Sequence, residues 1–266
     1  MVDAPFAYMG GKSRLAPFIE SHFPPHQCYC EVFGGAAWVL FYKRPSNFEV
    51  YNDINNDLVN LFWQLKTNVK EVIKKAIWLP YSRTLFDAFA KTYQNEQLTD
   101  VEKAVRFLYL NKCAYSGQFL TKISSGPTHS PNWHTEFVKD LVNTRKRFDK
   151  VIIENLSYHE LIPKYDSPDT LFYLDPPYLA ANKTKYYKYV FGDGDHDRLA
   201  DLCHEIKGKF ILSYEDHPRI RTKYADFFIH TTPEVVVSSS NKEKKDVIRE
   251  LIITNFRKII KQGRLF

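Results

Sequence analysis

The chain has 266 residues, a formal net charge of +6, and 44% hydrophobic, 26% charged and 15% aromatic residues. That composition excludes a disordered chain, and the length suits one large domain or a domain with an insert. No apolar run approaches the ~18 residues of a membrane-crossing helix, and Met1-Val2-Asp3-Ala4-Pro5 lacks the basic-then-apolar pattern of an export signal.

Four cysteines stand at positions 28, 30, 113 and 203. Cys28-x-Cys30 is too tight for a zinc pair and has no second pair to complete it. Reduced thiols, a cytoplasmic protein and no metal are expected. The charge is unevenly spread. Residues 61–150 hold 15 Lys and Arg against 8 Asp and Glu, whereas the remainder holds 22 against 23. The basic excess lies in one internal segment, as in a polyanion-binding module set in a neutral body, or as on a lysine-rich helical surface.

In chain order, Gln27–Val32 predicts a strand that runs into Phe33-Gly34-Gly35-Ala36-Ala37. Trp38–Tyr42 predicts a helix, Phe48–Tyr51 a second strand, and Asp57–Lys66 an amphipathic helix. Residues 61–150 read mostly as helix, with apolar residues at 72, 73, 76 and 77 and at 101, 104, 105 and 108. Thr121–Trp133 interrupts them as a loop or hairpin, and helix resumes from Glu136 to Phe148. Short apolar runs at 151–153, 171–174, 210–213 and 251–254 predict strands of a sheet covered on both faces, with a helix at Asp197–Lys207. The expected architecture is a three-layer α/β domain over residues 1–60 and 151–266, interrupted by a helical insert at 61–150.

Four constellations carry chemistry. Tyr8-Met9-Gly10-Gly11-Lys12 pairs close-approach glycines with a lysine for an anionic group, or is a turn with a surface lysine; it lacks Walker A spacing. Glu31-Val32-Phe33-Gly34-Gly35 follows a strand, and Asp53 ends the next one, where a carboxylate can accept hydrogen bonds from ribose hydroxyls. Without G-x-G-x-x-G, a nucleoside lacking a pyrophosphate fits better than a dinucleotide. A tight turn with a helix-capping Asp53 is the plainer alternative.

The third, Asp175-Pro176-Pro177-Tyr178, follows an apolar strand that its prolines end and stiffen. Asp175 and the Pro176 carbonyl can accept two N–H bonds from an exocyclic amine while Tyr178 stacks on its ring. The fourth, residues 181–189, interleaves lysines with tyrosines, a pattern suited to phosphates and bases and also to an ordinary surface loop. Residues 192–197 look metal-like but lack calcium-loop spacing, so Asp195 or Asp197 is expected to cap the following helix.

These motifs, in this order, resemble the Dam-like (D12) DNA adenine-N6 methyltransferases in the alpha arrangement; Arg106–Tyr115 is similar to the start of their target-recognition domain. The resemblance implies a Rossmann-like methyltransferase fold, S-adenosylmethionine as donor, duplex DNA as partner, and base flipping. It implies a donor site formed by Tyr8, Gly10, Gly11, Lys12, Glu31, Phe33, Gly34, Gly35, Asp53, Ile54 and Asp175. Asn155-Leu156 stands where the family often has the Asp-Phe pair that reads the donor's adenine. Asp175, Pro176, Pro177 and Tyr178 would hold the target adenine. Contacts to DNA are expected from Lys112, Tyr115, Gln118, Lys122 and Asn132 of the insert and from Lys183, Lys185 and Tyr186. The insert lacks the Arg-Tyr-Asn and Phe-Asn-x-Pro pattern of GATC readers. RNA adenine, cytosine N4 or a protein amide are alternative substrates, and a non-catalytic DNA-binding regulator is the alternative of another class. Nothing demands a dimer, so a monomer is expected.

Overall fold

The computed structural model describes residues 4–6, 8, 10–94, 97–114, 120, 123–124, 133–179, 191–237 and 246–257. In chain order the elements are α1 (Ala16–Glu20), β1 (Cys28–Glu31), α2 (Trp38–Tyr42), β2 (Phe48–Asn52), α3 (Asn56–Thr67), α4 (Val69–Ala76), α5 (Arg83–Lys91), α6 (Asp100–Cys113) and α7 (Phe137–Arg147). They continue as β3 (Val151–Glu154), α8 (Tyr158–Tyr165), β4 (Thr170–Leu174), α9 (Asp193–Glu205), β5 (Lys209–Glu215), α10 (Pro218–Lys223), β6 (Phe228–Thr231), β7 (Val235–Val237), β8 (Asp246–Ile248) and β9 (Glu250–Thr254). Seven strands form one sheet in the order β3-β2-β1-β4-β5-β9-β6, and β7 and β8 form a separate antiparallel pair. A mixed sheet of this order with its helices is the Rossmann-like methyltransferase architecture.

The chain divides into two compact units. The first comprises Met1–Lys12, Gly34–Tyr42 and Val50–Asn155. It is mainly helical, and its centre is α6. The apolar spacing at 101, 104, 105 and 108 predicts one buried stripe. The helix is instead buried all round from Ala104 to Asn111 and again at Cys113, because α3, α4 and α5 all pack on it. Part of its buried polar side chains bonds within the unit. Arg106 donates to the carbonyls of Thr92 (2.7 Å) and Tyr93 (2.6 Å), and the Asn111 amide donates to the Phe107 carbonyl (2.8 Å). A Thr99–Glu102 capping box starts it. Helix α5, which the apolar spacing does not mark, begins where the Ser82 hydroxyl accepts from the Leu85 amide. A second cluster stacks Phe62 on Phe148, with ring centres 4.7 Å apart and planes 3° apart, against Phe41 and Tyr51.

The second unit comprises Ser13–Phe33, Lys43–Glu49 and Leu156–Phe266. Here β1, β4 and β5 run parallel, and β9 lies antiparallel between β5 and β6. Every residue of β4 is buried, as is every residue of β5 except its ends, so both faces of these strands are covered. The strand order reverses between β1 and β4, whose register pairs Glu31 with Tyr173. Such a reversal opens a crevice beyond the carboxyl ends of the strands, where ligands of open α/β sheets bind.

Two sequence expectations shift here. The helix expected at 197–207 begins at Asp193 and ends at Glu205. Asp195 does cap it, accepting from the Gly192 amide at 2.9 Å, while Asp197 lies within the helix and pairs with Lys223. Of the expected loop Thr121–Trp133, only Ile123, Ser124 and Trp133 are described; Ile123 bridges to Ala114, and Trp133 is buried, its Nε1 donating to the Leu79 carbonyl. The cysteines are all free thiols.

Removing the Phe62 ring deletes the centre of the stacked cluster. Phe62→Ala should lower unfolding free energy by about 3–5 kcal/mol, read as a lower urea midpoint with unchanged slope.

Candidate active site

In the first unit, the turn after β1 and the end of β2 are tied together. The Gly34 amide donates to the Asn52 carbonyl (2.8 Å), and the Tyr51 hydroxyl donates to the Gly35 carbonyl (2.8 Å). Gly34 must lack a side chain: a Cβ there would stand 2.3 Å from the Tyr51 ring and 2.8 Å from the Asn52 carbonyl.

Asp53 is the polar focus of this turn. Its Oδ2 accepts from the Gly35 amide and its Oδ1 from the Asn55 amide, each at 2.8 Å. Burial pushes its pKa up to about 6, against the lowering effect of those two amides. Two backbone bonds leave acceptor capacity on a carboxylate, which has about four lone-pair sites. Asp53 does not cap α3; Asn55 does, its side chain accepting from the Asp57 amide. The Asn155 side-chain amide donates to the Asp53 carbonyl (2.8 Å). Ile54 is exposed.

The N-terminal motif lies in the same unit. The Tyr8 carbonyl accepts from the Gly11 amide (3.0 Å), and the Tyr8 ring lies alongside Gly35. A Cβ on Gly11 would stand 2.7 Å from the Trp38 indole nitrogen, so this glycine too is a close approach. Lys12 is not a surface lysine. It is 6% exposed, and its ammonium donates to the Gly10 carbonyl (3.0 Å). Lys112, at the end of α6, donates to the Pro5 carbonyl (3.2 Å), and burial lowers its pKa. It thus faces inward and ties α6 to the segment leading into Tyr8.

In the second unit, Glu31 ends β1 and Asp175 follows β4. Glu31 is buried and accepts from the Tyr29 hydroxyl (2.7 Å). The Val32 amide donates to the Tyr173 carbonyl (3.0 Å), carrying the parallel pairing up to the Asp-Pro-Pro-Tyr segment. Asp175 Oδ1 accepts from the Ser213 hydroxyl (2.8 Å). Pro176 is buried and Pro177 half-buried, so the chain leaves the strand along a stiff path. Tyr178 stacks on Tyr214, with centres 5.8 Å apart and planes at 29°. Burial and the nearby Asp175 and Glu250 carboxylates push the Tyr178 pKa well above its usual value, so it stays a neutral phenol. The Tyr214 hydroxyl is in turn hydrogen-bonded to Nδ1 of buried His196. Phe33 packs against Tyr158 (5.8 Å) and Phe191 (5.7 Å), and Phe191 meets His196 at 4.8 Å. One aromatic train therefore runs from Phe33 to Tyr178. Leu156 is half-buried in this unit.

Sequence reasoning missed Ser213, Tyr214, His196 and Phe191. A serine inside the apolar run Phe210-Ile211-Leu212-Ser213-Tyr214 was the available signal. Tyr115, Gln118, Lys122, Asn132, Lys183, Lys185 and Tyr186 lie outside the described residues. Among the described residues there is no cluster of three or more metal-ligating side chains, and no helix long and apolar enough to cross a membrane.

Residues 8–237 match the D12 class N6 adenine-specific DNA methyltransferase family. The chain is similar to the type II methyltransferase M.MjaIII of Methanocaldococcus jannaschii, with 26% identity over 94% of this chain and 97% of that one. It is also similar to the type II methyltransferase M1.LlaDCHI of Lactococcus lactis subsp. cremoris (24%; 94% of each chain). A DNA adenine methylase of Haemophilus influenzae is 28% identical over 92% of this chain and 91% of its own. A solved structure, the putative methylase HI0767 of Haemophilus influenzae, covers 95% of this chain and 92% of its own at 10% identity, with a TM-score of 0.34. The chain belongs to the D12 class of N6 adenine-specific DNA methyltransferases. It is an enzyme that transfers a methyl group to adenine in DNA.

The close approach at Gly34 makes a direct prediction. Gly34→Ala should lower stability by about 1–3 kcal/mol, because the added carbon meets a ring and a carbonyl that are both held in place. A thermal melt of the purified variant checks it.

Proposed function

We propose that S-adenosylmethionine is the donor and that the target adenine leaves the duplex to be held by Asp175, Pro176, Pro177 and Tyr178. The observation that carries this reading is the Asp-Pro-Pro-Tyr segment at the carboxyl end of β4, beside Glu31 and at the reversal of strand order, with Asp175 gripped by Ser213. Unstacking the base costs about a few kcal/mol.

The residues suit a nucleoside-bearing donor. Asp53, its carboxylate oriented by two amides, accepts from ribose hydroxyls. The Asn155 oxygen accepts from the donor's adenine, with Ile54 and Leu156 beside the ring. Tyr8, Gly10, Gly11, Lys12, Glu31, Phe33, Gly34 and Gly35 complete the donor-binding set. The close approach at Gly11 leaves backbone where a side chain would intrude. When bound, the donor supplies a sulfonium-activated methyl group.

The chain's own residues prepare the acceptor. The Asp175 carboxylate and the Pro176 carbonyl accept the two N6–H bonds. That draws the nitrogen lone pair out of conjugation with the ring and makes the amine nucleophilic. Tyr178, kept neutral, stacks on the base. Holding two reactants in register can supply roughly 7–11 kcal/mol of rate acceleration. Residues 61–150 act as the target-recognition insert of a catalytic domain spanning 1–60 and 151–266. Tyr115, Gln118, Lys122 and Asn132, with Lys183, Lys185 and Tyr186, contact DNA, whereas Lys112 serves by its inward tie to Pro5. The reaction runs in the cytoplasm.

Incubation with methyl-free duplex DNA and S-adenosylmethionine, followed by nucleoside mass spectrometry, should yield N6-methyladenine. Asp175→Ala should yield none while keeping its melting transition. N4-methylcytosine, or full activity of the variant, contradicts the reading.

Donor affinity should also depend on pH. Asp53 titrates near 6 in the free protein, and ribose hydroxyls bond its ionised form. Affinity should therefore be full above about pH 7 and weaken as pH falls through 6, by up to about tenfold per unit. Calorimetric titration across pH 5–8 tests this, and Asp53→Asn should flatten the profile.

A further inference from the structure

We infer that Ser213 is a positioning residue for methyl transfer, fixing the Asp175 carboxylate through a buried relay that begins at Tyr173. The inference rests on the reading of Asp175 as the residue that holds the target amine. Ser213 is wholly buried in β5, a strand covered on both faces, where an aliphatic side chain would cost nothing in desolvation. Its Oγ lies 2.8 Å from Asp175 Oδ1, 3.0 Å from the Tyr173 hydroxyl and 3.4 Å from the Leu174 carbonyl.

Counting protons sets the direction of the relay. A carboxylate only accepts, so the single serine proton goes to Asp175 Oδ1 in preference to the longer contact at Leu174. The Tyr173 phenol is buried, with its pKa pushed well above the usual value, so it keeps its proton and donates it to Ser213. The chain runs Tyr173 to Ser213 to Asp175.

The strand register builds this relay. Tyr173 pairs with Ile211 and Leu174 with Leu212, so the next step along the two parallel strands brings Asp175 beside Ser213. Asp175 is the first residue past β4, and the bond from Ser213 sets the plane of its carboxylate. That plane decides whether the carboxylate meets an amine proton in line, so its loss belongs in turnover and not in donor affinity.

The test compares Ser213→Ala, Ser213→Thr, Tyr173→Phe and Asp175→Ala with the parent enzyme. Thermal melts, calorimetric Kd for S-adenosylmethionine, and kcat and KM on methyl-free duplex DNA are measured for each. A hydrogen bond to a charged group predicts that Ser213→Ala loses about ten- to hundredfold in kcat, with Kd and KM unchanged within about threefold. Ser213→Thr, which restores the hydroxyl, should recover most of that loss, and Tyr173→Phe should lose less than Ser213→Ala. An unchanged kcat in Ser213→Ala overturns the inference, as does a loss carried by donor Kd or one that Thr does not rescue. If Ser213→Ala fails to fold, Tyr173→Phe decides: a kcat loss at unchanged KM supports the relay, and an unchanged kcat overturns it. Activity retained by Asp175→Ala would instead sink the underlying reading of Asp175. An inactive Asp175→Ala beside a fully active Ser213→Ala sinks the relay alone.

Discussion

The parallel registration of β4 between β1 and β5 is the constraint on which the second unit's chemistry depends. It pairs Glu31 with Tyr173 and Leu174 with Leu212, so the chain leaves β4 at the same level as the end of β1 and beside Ser213. Parallel pairing needs both faces covered, and the wholly buried β4 meets that need. A one-residue slip would exchange the faces of the strand, carrying Tyr173 away from Ser213 and Asp175 away from its hold.

Burial makes the polar groups at this edge consequential. Tyr29 answers Glu31, Tyr173 and Ser213 answer Asp175, and His196 answers Tyr214 beneath Tyr178. A buried polar network stabilises one arrangement when each member is satisfied and is costly when one is removed. Rigidity of this kind suits a reaction whose acceleration comes chiefly from placing two reactants.

The first unit solves a different problem with different means. Its Asp53 carboxylate is held by two backbone amides, on a turn that Gly34 allows to lie against Tyr51. The turn is therefore set by backbone contacts and one aromatic ring. Helix α6, enclosed by its neighbours, gives the helical region a firm axis, and Lys112 fastens its end to Pro5.

Much of this was legible in the amino-acid order. Trp38–Tyr42 reads as a helix to the residue and six of the nine described strands are marked to within two residues, whereas β6, β7 and β8 are not marked, because local periodicity acts over a few neighbours and is weak in short strands. Residue order also carried the family, since the motifs recur in a set sequence. Tertiary structure alone decided which side chains support them. Ser213 reaches Asp175 across 38 positions, His196 reaches Tyr214 across 18, and Lys112 reaches Pro5 across 107. It also turned α6 from a one-faced helix into an enclosed one and moved the start of α9 to Asp193. Such partnerships depend on strand register and helix packing, which join residues distant along the chain and leave no periodic trace in it.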